Sequence, residues 1–145
     1  MRRTLCLLAA LLALPLLGSD APKEYDGAAE ADDIRGTWRL TAIELDGRGR
    51  PLPFDEVMIY HAGNYTAEFE NGRTIRRGNY RTDPAHTPPH LDWSPFHDGK
   101  VQVLRMIYQI DGDTLTIAFR TDDQSRRPEG FDDKKLGFWT YRRVK

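Results

Sequence analysis

The chain carries one cysteine, Cys6, and it lies in the first ten residues. No disulfide can form within it, and paired-thiol redox or metal chemistry is excluded. No sign of charge dominates: 21 Lys+Arg stand against 22 Asp+Glu, a net charge of -1. Without a concentrated positive face there is no footprint for nucleic acid, and no nucleic-acid partner is expected. The one long apolar run, Leu5 to Leu17, falls short of the roughly 20 residues that a spanning helix needs, so no stable membrane span is expected. No stretch of helical length has apolar residues at i, i+3, i+4 and i+7 between caps. Glycine-rich phosphate loops and dinucleotide fingerprints are missing too. Ser19, Ser94 and Ser125 are the only serines, and none sits in a nucleophile elbow. The sequence therefore assigns no catalytic residue and no cofactor.

The N-terminus has a defined order. Arg2 and Arg3 precede the Leu-rich run, and Gly18-Ser19-Asp20-Ala21 follow it. That order predicts a secretory signal peptide over 1–21, with an uncleaved anchor as the rival reading. Residues 22–33 are acidic and interspersed with Ala, Gly and Pro, as expected of a flexible spacer. The folded domain is expected over 34–145, in a protein that is secreted or periplasmic.

From Ile34 the punctuation is that of an antiparallel β protein. Asn71-Gly72 and Asp111-Gly112 supply the positive φ values of tight hairpins. Leu115, Ile117 and Phe119 alternate with Thr114, Thr116 and Ala118, and Tyr65, Ala67 and Phe69 alternate with Thr66, Glu68 and Glu70. Each such strand has one face buried. Eight strands are predicted: Gly36–Leu45, Glu56–Ala62, Asn64–Glu70, Arg73–Arg81, His90–Trp93, Val101–Ile110, Thr114–Arg120 and Leu136–Val144. One short helical turn is allowed around Pro53–Val57. A meander of this kind must hide its edges, and closing into a barrel removes them.

Gly36-Thr37-Trp38 resembles the Gly-x-Trp signature of lipocalin-like barrels. It runs on as R-L-T-A-I-E-L-D-G through Gly47 to Pro51-Leu52-Pro53. Leu91-Asp92, I-Y-Q-I-D-G-D-T-L from Ile107 to Leu115, Arg127-Pro128-Glu129-Gly130-Phe131 and Tyr141-Arg142-Arg143 follow in order. The set is similar to an uncharacterised family of small secreted lipocalin-like proteins abundant in planctomycete bacteria. The chain departs from it in its His- and Pro-rich segment from Thr82 to His97 and in Met106, where the family tends to place Gly. The resemblance implies an all-β, eight-stranded antiparallel lipocalin-like barrel outside the cytoplasm, and it transfers no catalytic residue. It also implies barrel closure by Trp38 against a basic residue of the last strand, Arg142 or Arg143.

Asp92 and Arg127 are the charged residues that best match the family motifs, and Tyr108 stands on a central strand. These three are the candidate ligand-binding residues. Alternation turns Asp92 away from the face shared by Leu91 and Trp93. A buried carboxylate and guanidinium either pair structurally, clamping the last loop to the barrel, or face a polar ligand. His61, His86, His90 and His97 raise a metal reading. Pro84, Pro88 and Pro89 forbid the helix that would align His86 with His90, so a solvated loop and no metal site are expected. The function expected is a non-catalytic binding module for a small, partly apolar ligand at the barrel mouth. The alternative is a filled barrel serving as a structural or protein-interaction domain, since Trp38, Phe69, Trp93, Tyr108, Phe119, Phe138 and Trp139 compete for a small interior; an enzyme of unknown class, its site assembled across strands, is the third reading.

Overall fold

A computed structural model describes residues 33–96 and 102–145. The expected signal peptide, nearly all of the expected spacer and His97 lie outside the described residues. Nine strands follow in order: β1 (Gly36–Leu45), β2 (Arg48–Arg50), β3 (Glu56–His61), β4 (Asn64–Phe69), β5 (Thr74–Asp83), β6 (His90–Pro95), β7 (Leu104–Asp111), β8 (Thr114–Arg120) and β9 (Leu136–Arg143). From β3 to β9 each strand pairs with the next, and β1 pairs with both β3 and β9. Every neighbouring pair is antiparallel. The result is a closed eight-stranded antiparallel barrel with β2 as one extra strand.

Turn chemistry explains the connections. Asp46-Gly47 joins β1 to β2 and Ala62-Gly63 joins β3 to β4, all four residues at φ between 48° and 76°. Two consecutive positive φ values twist in the sense that the flanking strands require. Gly112 (φ 58°) opens the two-residue β7–β8 turn and Gly72 (φ 80°) lies in the β4–β5 loop, as the sequence predicts. The Asp46-Gly47 turn adds the unforeseen β2. No helical turn forms at Pro53–Val57, because Glu56 already pairs with Phe69 and the Phe54 ring packs edge-on against Phe69 at 5.0 Å. Likewise β7 begins at Leu104, which pairs with Trp93; Val101, the expected start, lies outside the described residues.

The interior follows the alternation. Leu115, Ile117 and Phe119 meet Trp38, Leu40, Met58, Tyr60, Tyr65, Ala67, Leu91, Trp93, Met106, Tyr108 and Tyr141 in one buried cluster. An irregularity in the β1–β9 ladder between Leu40 and Ala42 lets Leu40, Ile43 and Leu45 all face inward. Gly78 is needed where β5 passes β4, since a Cβ there would stand 2.8 Å from the Tyr65 ring.

One end of the barrel is sealed. The Arg143 guanidinium lies 4.0 Å from the centre of the Trp38 ring. Its Nη1 donates to the Arg35 carbonyl (2.9 Å) and its Nη2 to the Asp33 carbonyl (3.2 Å). The Trp38 indole N–H donates to the Ile34 carbonyl at 2.7 Å, and Ile34 and Trp38 are fully buried. Arg142 is exposed, so of the two basic residues only Arg143 packs on Trp38. Trp38→Ala is expected to lower unfolding free energy by about 3–5 kcal/mol, read from the urea midpoint. A midpoint matching wild type would contradict the sealing role.

Candidate functional site

Two ion pairs sit on opposite sides of the barrel wall. The outer one joins Asp92 on β6 to Arg127 in the segment between β8 and β9. Leu91 and Trp93 face inward, so Asp92 faces outward, between Arg81 and Arg105 of the neighbouring strands. Arg127 Nη2 donates to the Asp92 carboxylate, and its Nη1 donates to the carbonyls of Met106 and Leu91. The segment is held further by the Arg105 N–H donating to the Gln124 carbonyl at 2.9 Å. Arg120 donates to Asp122 at 2.9 Å and to Asp133 at 3.1 Å. Under it, on the outward face, Ile107 and Ala118 are fully buried, and the rings of Phe131 and Phe138 stack at 6.5 Å. The geometry is that of a clamp.

Tyr108 is not part of this arrangement. It is fully buried in the interior cluster, and its hydroxyl donates to the Asp33 carboxylate at 2.9 Å, toward the sealed end. The structure brings Asp92 and Arg127 together and leaves Tyr108 on the other face of the sheet. His86 and His90 stack at 3.8 Å, with Asp83 3.3 Å from His86. His61 lies instead near Arg35. Among the described residues no cluster of three or more His, Cys, Asp or Glu can hold a metal ion.

The inner ion pair is built from residues that sequence reasoning did not select. Glu56 is 2% exposed and is the one buried charged residue among the described residues. Its Oε1 accepts from Arg76 Nη2 at 2.8 Å and from the Tyr141 hydroxyl at 3.1 Å. Arg76 faces Ala67 across the β4–β5 ladder, and that small partner leaves room for the guanidinium to turn inward. Its Cζ lies 5.7 Å from the rings of both Trp93 and Trp139. Around them runs an aromatic chain: Tyr65 on Trp93 at 4.7 Å, Trp93 on Trp139 at 5.3 Å, and Trp139 against Phe119 at 4.2 Å.

Four buried polar atoms beside this chain have no hydrogen-bond partner among the described residues: Tyr60 Oη, Tyr65 Oη, Arg76 Nε and Trp93 Nε1. The Trp93 indole N–H is directed at the Tyr60 hydroxyl as a weak hydrogen-bond donor and eases its ionisation, although the pair falls outside strict hydrogen-bond geometry. Burial dominates all the same. It pushes Tyr60 well above the ordinary tyrosine range and Tyr65 up to about 12. Tyr141 is raised by burial first and by the Glu56 charge second. All three hydroxyls keep their protons at neutral pH. Period-two alternation was the signal for these residues: Glu56 shares a face with Met58 and Tyr60, and Arg76 with Gly78 and Tyr80.

Two outcomes follow from the outer wall. Removing the guanidinium with Arg127→Ala strands two carbonyls and a carboxylate. It is expected to cost about 1.5–3 kcal/mol and to speed amide exchange in residues 121–135; unchanged stability and exchange would contradict the clamp. His90 is held below its ordinary value of 6.5 by burial first, then by Arg127 and His86. The unfolded chain then binds more protons below about pH 6.5, so stability falls as the pH drops through that range. Asp122, Asp123 and Asp133, lowered by hydrogen bonds from Arg120, from Ser125 and from the Lys134 and Glu129 N–H groups respectively, lose their contribution only at lower pH. His90→Gln is expected to flatten the curve between about pH 6.5 and 5, followed by thermal melting; an unaltered slope would contradict it.

Comparisons with protein-family models, with curated proteins and with solved structures return no match to this chain.

Proposed function

We propose that the protein is a non-catalytic binding module of lipocalin-like type that takes a small, partly apolar ligand into the end of the barrel opposite Trp38 and Arg143. The observation that carries this reading is the interior polar set, Tyr60, Tyr65, Arg76 and Trp93, unpartnered in a core where such groups are normally satisfied. Each orphan costs about 1–3 kcal/mol, and binding a guest offsets that cost. The end away from Trp38 has an apolar rim. Ile43, Leu45, Ile75, Leu104 and Trp139 pack on the core yet stay partly exposed, and Arg76 keeps 34% of its side-chain surface accessible. A barrel used only as a structural block would be expected to cover these groups.

The leader-like segment, 1–21, supports export, so the ligand is one met outside the cytoplasm. Membership of the secreted lipocalin-like family rests on the ordered motifs from Gly36 to Arg143, together with the closed barrel they build. No helix among the described residues is long and apolar enough to cross a membrane.

The test is titration of the folded protein with the uncharged dye N-phenyl-1-naphthylamine. Saturable one-to-one uptake is expected, with enhanced dye emission and a melting temperature that rises with dye concentration. Leu104→Lys at the rim is expected to weaken uptake about tenfold, one apolar contact replaced by a charge. Absence of saturable uptake by wild type would favour the filled, structural barrel.

A further inference from the structure

The outer wall carries a concavity of about 470 Å³ on the outward face of β5 and β6, between the Ala62-Gly63 turn and Val103. That size falls within the range of small-molecule clefts. Its floor is a square of four side chains. Arg81 stands opposite Asp92, and Asn79 opposite Ser94, in the β5–β6 ladder, and residues two apart along a strand share a face. Neighbours across such a ladder have Cβ atoms about 4.5–5.5 Å apart, close enough for opposite charges to pair. Arg81 and Asp92 do not pair. Asp92 gives its Oδ1 to Arg127 instead and keeps 31% of its side-chain surface accessible. Arg81 is exposed and makes no hydrogen bond or ion pair among the described residues.

Donors and acceptors alternate around the square. Asn79 Nδ2 is committed to Asn64 Oδ1 at 3.0 Å and to the Gly63 carbonyl at 3.5 Å, so its own amide oxygen is left as an acceptor. Asp92 Oδ2 is a second acceptor, whereas Arg81 only donates and the Ser94 hydroxyl can donate. Acceptors thus take one diagonal, Asn79 and Asp92, and donors the other, Arg81 and Ser94. We infer that this square binds a free α-amino acid, its carboxylate on Arg81 and Ser94, its ammonium on Asp92 and Asn79, and a small apolar side chain against Val103. A bare anion would set its oxygens against Asp92, and a bare cation would meet Arg81. A zwitterion carries both charges on one carbon, as the ladder sets Arg81 beside Asp92. Both halves then make hydrogen bonds to charged groups, the stronger kind. The site lies on the opposite face of the sheet from Trp93 and does not rest on uptake of a guest by the barrel interior.

The experiment titrates the ¹⁵N-labelled full chain with L-valine, with isovalerate, which lacks the ammonium, and with isobutylamine, which lacks the carboxylate. L-Valine is expected to give saturable shifts at the Gly63, Arg81 and Ser94 amides, and either half to bind at least about tenfold more weakly. Arg81→Gln removes the charge from an exposed side chain outside the core. It is expected to weaken L-valine at least about tenfold and to leave the melting temperature of the empty protein unchanged. Isovalerate or isobutylamine binding as tightly as L-valine overturns the zwitterion assignment. So does an Arg81→Gln protein that binds L-valine like wild type, or the absence of any saturable shift with L-valine. Shifts gathered at the Trp93 indole, or displacement of N-phenyl-1-naphthylamine by L-valine, would put the amino acid inside the barrel and overturn the outer-wall site.

Discussion

Closure of β1 onto β9 is the constraint from which the rest of the molecule follows. The ten residues of β1 serve three partners: Gly36 to Arg39 pair with β3, Ile43 to Leu45 pair with β2, and both halves pair with β9. Closure removes the edges of the eight barrel strands, with the short, exposed β2 keeping one open side, and it turns one face of every barrel strand into a shared interior. The irregularity between Leu40 and Ala42 keeps the inward face of β1 apolar along its length. Trp38, Arg143 and the Asp33-Ile34-Arg35 backbone then seal one end.

The two ion pairs divide the work by position. Asp92 and Arg127 lie on the outer wall, where the guanidinium satisfies two strand carbonyls and binds the long β8–β9 connection over Ile107 and Ala118. Glu56 and Arg76 lie within, where a charge survives only when paired and hydrogen-bonded. Glu56 meets that condition through Arg76 and Tyr141. Arg76 meets it through Glu56 and Tyr141, with its Nε left beside the unpartnered Tyr60, Tyr65 and Trp93 groups. An outer guanidinium that is saturated by protein and an inner set that is not are consistent with holding a loop on one side and a guest on the other.

Much of the barrel was legible in the sequence. Alternation along Thr114–Arg120 and Asn64–Phe69 carries a period-two signal that tertiary packing reinforces, and Asp111-Gly112 has few conformations open to it besides a tight turn. The same logic turned Asp92 outward. The Asp46-Gly47 hairpin was not read, since Arg48–Arg50 is exposed throughout and has no apolar alternation to mark it as a strand. Tyr108 was grouped with Asp92 and Arg127, although burial on both faces of β7 gives alternation no means to say which face meets which partner. Glu56 and Arg76 were passed over because a lone charge in a strand is usually solvated; only the register that sets Arg76 against Ala67, and Glu56 within reach of Tyr141, distinguishes them.

The three indole N–H groups report on the central claim from inside the barrel. Trp38 is bonded to the Ile34 carbonyl at the sealed end, whereas Trp93 Nε1 meets no acceptor in strict hydrogen-bond geometry among the described residues. In a ¹⁵N-labelled protein titrated with N-phenyl-1-naphthylamine, the account predicts that the Trp93 indole resonance moves strongly as the dye saturates, and that Trp38 stays in place. A Trp93 resonance that is indifferent to saturating dye, or a perturbation confined to Trp38, would contradict it.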